Sequence, residues 1–126
     1  MMRVTINGFG RMGRLALRAL DAKKGLEVVA INEPIGSNET LALLTTQDSQ
    51  QGTWNVDCHG DHQGLVLKGR PIRRFEETSP GKIPWAEVDC DIVIDCSGQF
   101  RTSELLQPHL DQGARRVVVS APVPGV

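Results

Sequence analysis

The sequence predicts an α/β fold: a doubly wound, mostly parallel sheet with helices on both faces and a short antiparallel excursion around residues 53–75. Two observations carry this expectation. Short apolar, β-branched runs alternate along the chain with segments of helical period. A glycine-rich stretch, INGFGRMGR at residues 6–14, also sits where the first strand hands over to the first helix. With 126 residues the chain can build one core, so residues 1–126 are expected to form a single domain.

Arg3-Val4-Thr5-Ile6-Asn7 alternates apolar and polar residues and stops at Gly8, which reads as a short strand. From residue 11 to 22, Met12, Leu15, Ala16, Ala19 and Leu20 recur every three or four positions, the period of a helix with one buried face. Gly25 follows where a helix can end. Residues 26–31 are mostly apolar and suit a strand covered on both faces. Strand, helix and strand make a βαβ unit, and its connection rule makes the two strands parallel.

Ser37 and Asn38 are both candidate caps for a helix through residues 39–44. The stretch that follows is polar and broken by Gly60, Gly64 and Gly69. Within it, residues 54–58, 65–68 and 72–75 read as the strands of the antiparallel excursion. Residues 91–95 return to the buried-strand pattern. Thr102 or Ser103 can cap a helix towards Gly113, with Pro108 either kinking it or delaying its start. Val117-Val118-Val119, within residues 115–120, makes a last buried strand.

Composition narrows the function classes. Net charge is −1 with acids and bases mixed along the chain, which leaves no electrostatic footprint for nucleic acid or an anionic membrane surface. The opening MMRVTING holds no signal-like apolar stretch, and no later run approaches a membrane span. A cytoplasmic location is therefore expected. Three cysteines without a C-x-x-C argue against a disulfide framework.

The glycine spacing G-x-G-x-x-G fits a phosphate cradle as well as a plain glycine-rich turn, and the context decides. The motif follows a strand, opens a helix and lies inside a βαβ unit. Gly8 would permit the tight turn, Gly10 would let the backbone approach a pyrophosphate, and Gly13 would let helix and strand pack closely. Amides at the helix start, near Arg11 and Met12, would then point at the diphosphate, helped by the helix dipole. Glu33 ends the second strand about 20 residues beyond Gly13, where an acidic residue binds the adenosine ribose. A Rossmann-type dinucleotide-binding domain is the reading. A 2′-phosphate would meet the Glu33 carboxylate as a like charge, and residues 34–37 contain no arginine or lysine. NAD is thus expected in preference to NADP.

INGFGRMGR followed by VVAINEP closely resembles the opening of glyceraldehyde-3-phosphate dehydrogenases. Further matches follow in order: Asp48-Ser49-x-x-Gly52, Gly69-x-Pro71-Ile72, Lys82-Ile83-x-Trp85, Cys96-Ser97-Gly98-Gln99-Phe100, Gly113-Ala114-Arg115-Arg116-Val117 and Ser120-Ala121-Pro122. The resemblance spans nearly the whole chain and implies the family's NAD-binding domain. It implies diphosphate contacts from the backbone of Arg11 and Met12, ribose contacts from Glu33, and cofactor contacts from Ser97, Gly98 and Ser120. Three departures stand out: Glu33 replaces the family's usual Asp, Thr78 replaces an Arg beside the adenine site, and Ser97 replaces the Thr of a Ser-Thr-Gly motif. At Thr78 only a backbone contact is implied.

The resemblance implies a parent enzyme that oxidises an aldehyde phosphate to an acyl phosphate with NAD. It also implies a homo-oligomer, tetrameric in the family. Erythrose-4-phosphate dehydrogenases also carry Glu at position 33. Glu33 and the Ser-Ala-Pro-Val ending are also similar to family members encoded with arsenate-resistance genes. A non-catalytic nucleotide-binding module is a further alternative. The family's Cys-Thr-Thr-Asn motif and its catalytic histidine do not occur in these 126 residues, so no catalytic residue is expected here and the catalytic domain is expected to lie elsewhere.

Other reactive residues read as structural. Cys96 lies at a strand end without a neighbouring base and is expected to be a small buried residue, and Cys90 to be structural. Cys58-His59-Gly60-Asp61-His62 fits no zinc spacing and reads as a polar turn. His109 is expected at the surface or in packing. Arg73-Arg74 and Arg115-Arg116 are expected on solvated faces.

Overall fold

In the computed structural model, which describes residues 1–48, 51–97 and 103–119, β1 (Met2–Asn7), α1 (Arg11–Asp21) and β2 (Leu26–Asn32) form the expected βαβ unit. The two strands are parallel, and their register slips by one residue after Val4–Val28 so that Thr5 faces Ala30. Val29 is the extra residue. The slip puts Val28 and Ile31 in one core cluster while Val29 and Ala30 join the other.

The chain continues through α2 (Asn38–Thr45), β3 (Cys58–Gly60), β4 (Gly64–Leu67) and β5 (Arg70–Phe75). Two short 3₁₀ turns, Pro80–Lys82 and Trp85–Val88, lead to β6 (Ile92–Asp95), α3 (Ser103–Asp111) and β7 (Arg116–Val119). The strands lie in the order β3-β4-β5-β2-β1-β6-β7. From β5 to β7 all neighbours are parallel, while β3 and β4 form the antiparallel excursion. The sheet divides the core in two. Leu17 of α1 and Leu41 and Ala42 of α2 pack with Ile6, Ile31 and Leu65. On the other face, Ile83, Trp85 and Val88 pack with Ala30, Val93 and Ala114.

Four expectations change. β7 forms as expected but is not a buried strand, since Val118 and Val119 are exposed. The first excursion strand is not 54–58; only Cys58–Gly60 pairs with β4. Trp54 and Val56 pack partly buried against the core without pairing in a ladder, and the Val56 amide donates to the Trp54 carbonyl. Pro108 lies inside α3, so the delayed start falls. Lys68, read as the end of a strand, instead shares a two-residue hairpin turn with Gly69, both at positive φ (54° and 81°). That conformation matches the right-handed twist of the flanking strands.

Candidate functional site

The chain leaves β1 towards β2 on one side and, later, places β6 on the other. Order therefore reverses between β1 and β6, and in open α/β sheets ligands bind at the carboxyl ends of strands beside such a point. A crevice of ≈ 320 Å³ opens there. Gly8 and Gly10 lie on one side of it, Glu33 and Ile35 on another, and Thr78, Cys96 and Ser97 also line it.

The three glycines have different surroundings. Gly8 has φ +91°, and a Cβ on it would come within 2.7 Å of the Ser97 backbone. A Cβ on Gly13 would lie 2.1 Å from the Gly8 carbonyl oxygen, so α1 seats directly on the turn. At Gly10 a Cβ would meet nothing within 4 Å, and the backbone is bare to the crevice. α1 starts at Arg11 with no acidic residue in its first turn, and its first helical bond runs from the Arg14 amide to the Gly10 carbonyl. A first turn of this kind suits an anion. The Arg11 side chain is turned to Asp48, with Nε 2.9 Å from Oδ1.

Glu33 is fastened by main chain on both sides. The Phe9 amide donates to its Oε1 at 2.9 Å, and the Ile35 amide donates to its Oε2 at 3.2 Å. The carboxylate thus bridges the glycine turn and the loop after β2, at the edge of the crevice. Arg74 holds that loop from below and is not on a solvated face. Its side chain is 3% exposed and donates to the carbonyls of Glu33 and Ile35 and to Asn38 Oδ1. Arg73, its neighbour on the opposite face of β5, is exposed and pairs with Glu87.

A buried polar chain forms the floor. Asn32 exchanges hydrogen bonds with the main chain of Glu77 (2.9 and 3.0 Å) and donates to Asn7 Oδ1 at 2.9 Å. Asn7 donates to Asp95 Oδ2 at 3.1 Å. Asp95 Oδ1 accepts from the Ser97 amide and hydroxyl at 3.0 and 2.6 Å. His109 Nε2 lies 2.9 Å from Asp95 Oδ2, and Trp85 Nε1 donates to His109 Nδ1 at 3.0 Å. Because Nδ1 accepts, the ring proton sits on Nε2 and faces Asp95. Burial pushes the Asp95 carboxyl up, but hydrogen bonds from His109, Ser97 and Asn7 outweigh it and hold it below its ordinary value.

Of the residues singled out in the sequence, Gly8, Gly10, Glu33, Thr78 and Ser97 come together on the crevice. Gly13 supports the turn from behind, and Arg11 and Met12 contribute the helix start. Gly98 and Ser120 lie outside the described residues. Of the two expectations for His109, packing holds and surface does not: it is fully buried and hydrogen-bonded, because α3 delivers it onto Trp85 and Asp95. Cys96 is half-buried and lines the crevice, since β6 ends there. Burial pushes the Cys58 thiol up to about 11, and raises that of Cys90. Asp61 caps the turn after β3 by accepting from the amides of Gln63 and Gly64.

Arg74, Asn7, Asn32 and Asp95 were not recognised as site residues from sequence. For Arg74 a signal existed: in a strand it shares a face with the buried Ile72 two residues earlier.

A family model described as the NAD binding domain of glyceraldehyde 3-phosphate dehydrogenase matches residues 2–103. The chain belongs to that family. Glyceraldehyde-3-phosphate dehydrogenase 2 of Saccharomyces cerevisiae is 41% identical over 122 residues, 97% of this chain and 37% of the relative. The enzymes of Clostridium pasteurianum and Kluyveromyces lactis are each 43% identical over 97% of the chain, which covers 36% and 37% of their lengths. The chain thus spans little more than a third of the curated glyceraldehyde-3-phosphate dehydrogenases it matches. These relatives do not favour the erythrose-4-phosphate or arsenate readings. NAD is the cofactor of this domain family. The bare Gly10 backbone, the acid-free helix start and the fastened Glu33 carboxylate fit a dinucleotide.

Proposed function

We propose that NAD binds in the crevice at the β1/β6 switch point, and that the domain serves a phosphorylating glyceraldehyde-3-phosphate dehydrogenase. The Gly8–Gly10 turn admits the diphosphate to the main chain, and the amides of Arg11 and Met12 receive it. Glu33 accepts hydrogen bonds from the ribose hydroxyls. The Thr78 backbone borders the adenine, Ser97 contacts the cofactor from the end of β6, and the motif resemblance implies the same for Gly98 and Ser120. Bound NAD supplies the hydride acceptor. The parent is read as oxidising an aldehyde phosphate to an acyl phosphate, on the strength of its relatives' names and the motif resemblance; the resemblance also implies a homo-oligomer, and a cytoplasmic location is the expectation from the sequence. No catalytic residue is assigned to this chain, because the motifs that carry the family's cysteine and histidine do not occur in its sequence.

The carrying observation is Glu33, a carboxylate pinned by two amides at the crevice edge. A 2′-phosphate beside it costs about 2 kcal/mol or more, the scale of like-charge juxtaposition. Calorimetric titration of NAD and NADP into the wild type and Glu33→Gln tests this. The wild type should prefer NAD, and the variant should lose most of that preference. Equal affinities in the wild type would remove Glu33 from the ribose site.

A further inference from the structure

We propose that Arg74 is a positioning residue for cofactor specificity: its buried guanidinium sets the β2–α2 loop so that Glu33 presents its carboxylate to the ribose. The inference rests on the assignment of Glu33 to the ribose. Arg74 lies 41 residues from Glu33 in sequence, yet its Nε and Nη2 both donate to the Glu33 carbonyl, at 3.0 and 2.7 Å. Nη2 also donates to the Ile35 carbonyl at 3.2 Å, and Nη1 donates to Asn38 Oδ1 at 3.0 Å. One planar fork therefore ties together both ends of the loop. A lysine could not reproduce this, because it presents one ammonium where the loop needs donors at several fixed angles.

The charge is placed for positioning and not for phosphate capture. Its donors are spent on main-chain and amide oxygens, its Nη2 also lies 3.6 Å from the exposed Glu76 carboxylate, and the side chain is 3% exposed beneath the loop. A 2′-phosphate at the crevice edge would meet Glu33, while Arg74 stays covered. Residues 34–37 contain no arginine or lysine, but a cation from β5 sits under the same loop. Its effect on specificity is to immobilise the carboxylate that excludes NADP. The Ile35 peptide reports on this arrangement, since its amide donates to Glu33 Oε2 while its carbonyl accepts from the Arg74 fork.

The test compares NAD and NADP affinities of the intact protein in the wild type, Arg74→Met, Arg74→Lys and Glu33→Gln, alongside amide exchange at Phe9 and Ile35. Arg74→Met should lower the NAD-over-NADP ratio by about tenfold, the low end for losing a well-placed charge-assisted hydrogen bond. Ile35 exchange should rise while amides of β1 and β6 stay protected. Arg74→Lys should also lose much of the ratio, showing that the fork and not the charge matters; if Arg74→Met does not fold, this variant carries the test. An unchanged ratio in the folded Arg74 variants, with Glu33→Gln still losing it, overturns the role of Arg74 alone. No preference in the wild type, or none lost in Glu33→Gln, overturns the ribose assignment and this inference with it.

Discussion

Asp95 is the residue on which most of the crevice floor converges. Its carboxylate accepts from Asn7, from both donors of Ser97, and from His109, and it is 1% exposed. An ionised group so buried is tolerated because each oxygen is supplied with donors; removing the charge would strand them. Asp95→Asn should therefore destabilise the fold by about 3 kcal/mol in chemical denaturation, the scale for breaking a buried charged network. The pH dependence has a definite sign. The folded pKa lies below the ordinary 3.8, so this stability is complete above that value and is lost as pH falls through the lower folded pKa. In Asp95→Asn the fall of stability below about pH 4 should flatten; an acid limb identical to the wild type would contradict this assignment. Sequence reading placed Asp95 only as the end of a strand, because its partners come from Asn7, Ser97 and His109, up to 88 residues away.

At the scale of elements, α2 shows how tertiary contacts select between local options. Ser37 and Asn38 are equally good cap residues by type. Ser37 is the cap, its Oγ accepting from the Thr40 amide at 3.1 Å. Asn38 is occupied elsewhere, donating to the Asp61 carbonyl at 2.8 Å and accepting from Arg74. Ser37→Ala should cost about 1 kcal/mol, with Ser37→Asp recovering most of it, as read by thermal melting. Equal stability of wild type and Ser37→Ala would assign the cap to another group. The excursion shows the reverse failure. Residues 54–58 carry strand-like residue types, but Trp54 and Val56 pack partly buried against the core without pairing, and only Cys58–Gly60 pairs with β4. Gly60 is read from sequence as a breaker. It is instead a close approach, where a Cβ would lie 2.6 Å from the Asn38 backbone.

For the molecule as a whole, the sheet has two ends of different character. On the β3 side the excursion is short, and Gly60 and Gly64 pack hard against backbone. On the other side β7 pairs, among the described residues, only with β6, and Val118 and Val119 are 51% and 38% exposed. An apolar strand with one unpaired edge is a template for further pairing. The 126-residue chain on its own should therefore associate as concentration rises, and Val118→Lys should suppress this. Light scattering across a concentration series is the check; a wild-type monomer throughout would refute it.

What the sequence determined by itself is local. The strand–helix–strand order, the positive-φ turn at Gly8, the tight seat at Gly13 and the position of Glu33 at the end of β2 follow from periodicity and glycine geometry over a short stretch. Such features depend on neighbours in the chain, and a residue pattern records them. The tertiary structure alone decided which distant groups meet: Arg74 under the Glu33 loop, and Asp95 with Asn7 and His109. These contacts depend on β5 lying beside β2 and β6 beside β1. Strand order is set by how the whole chain closes its two core layers, and the period of any one strand carries no trace of it.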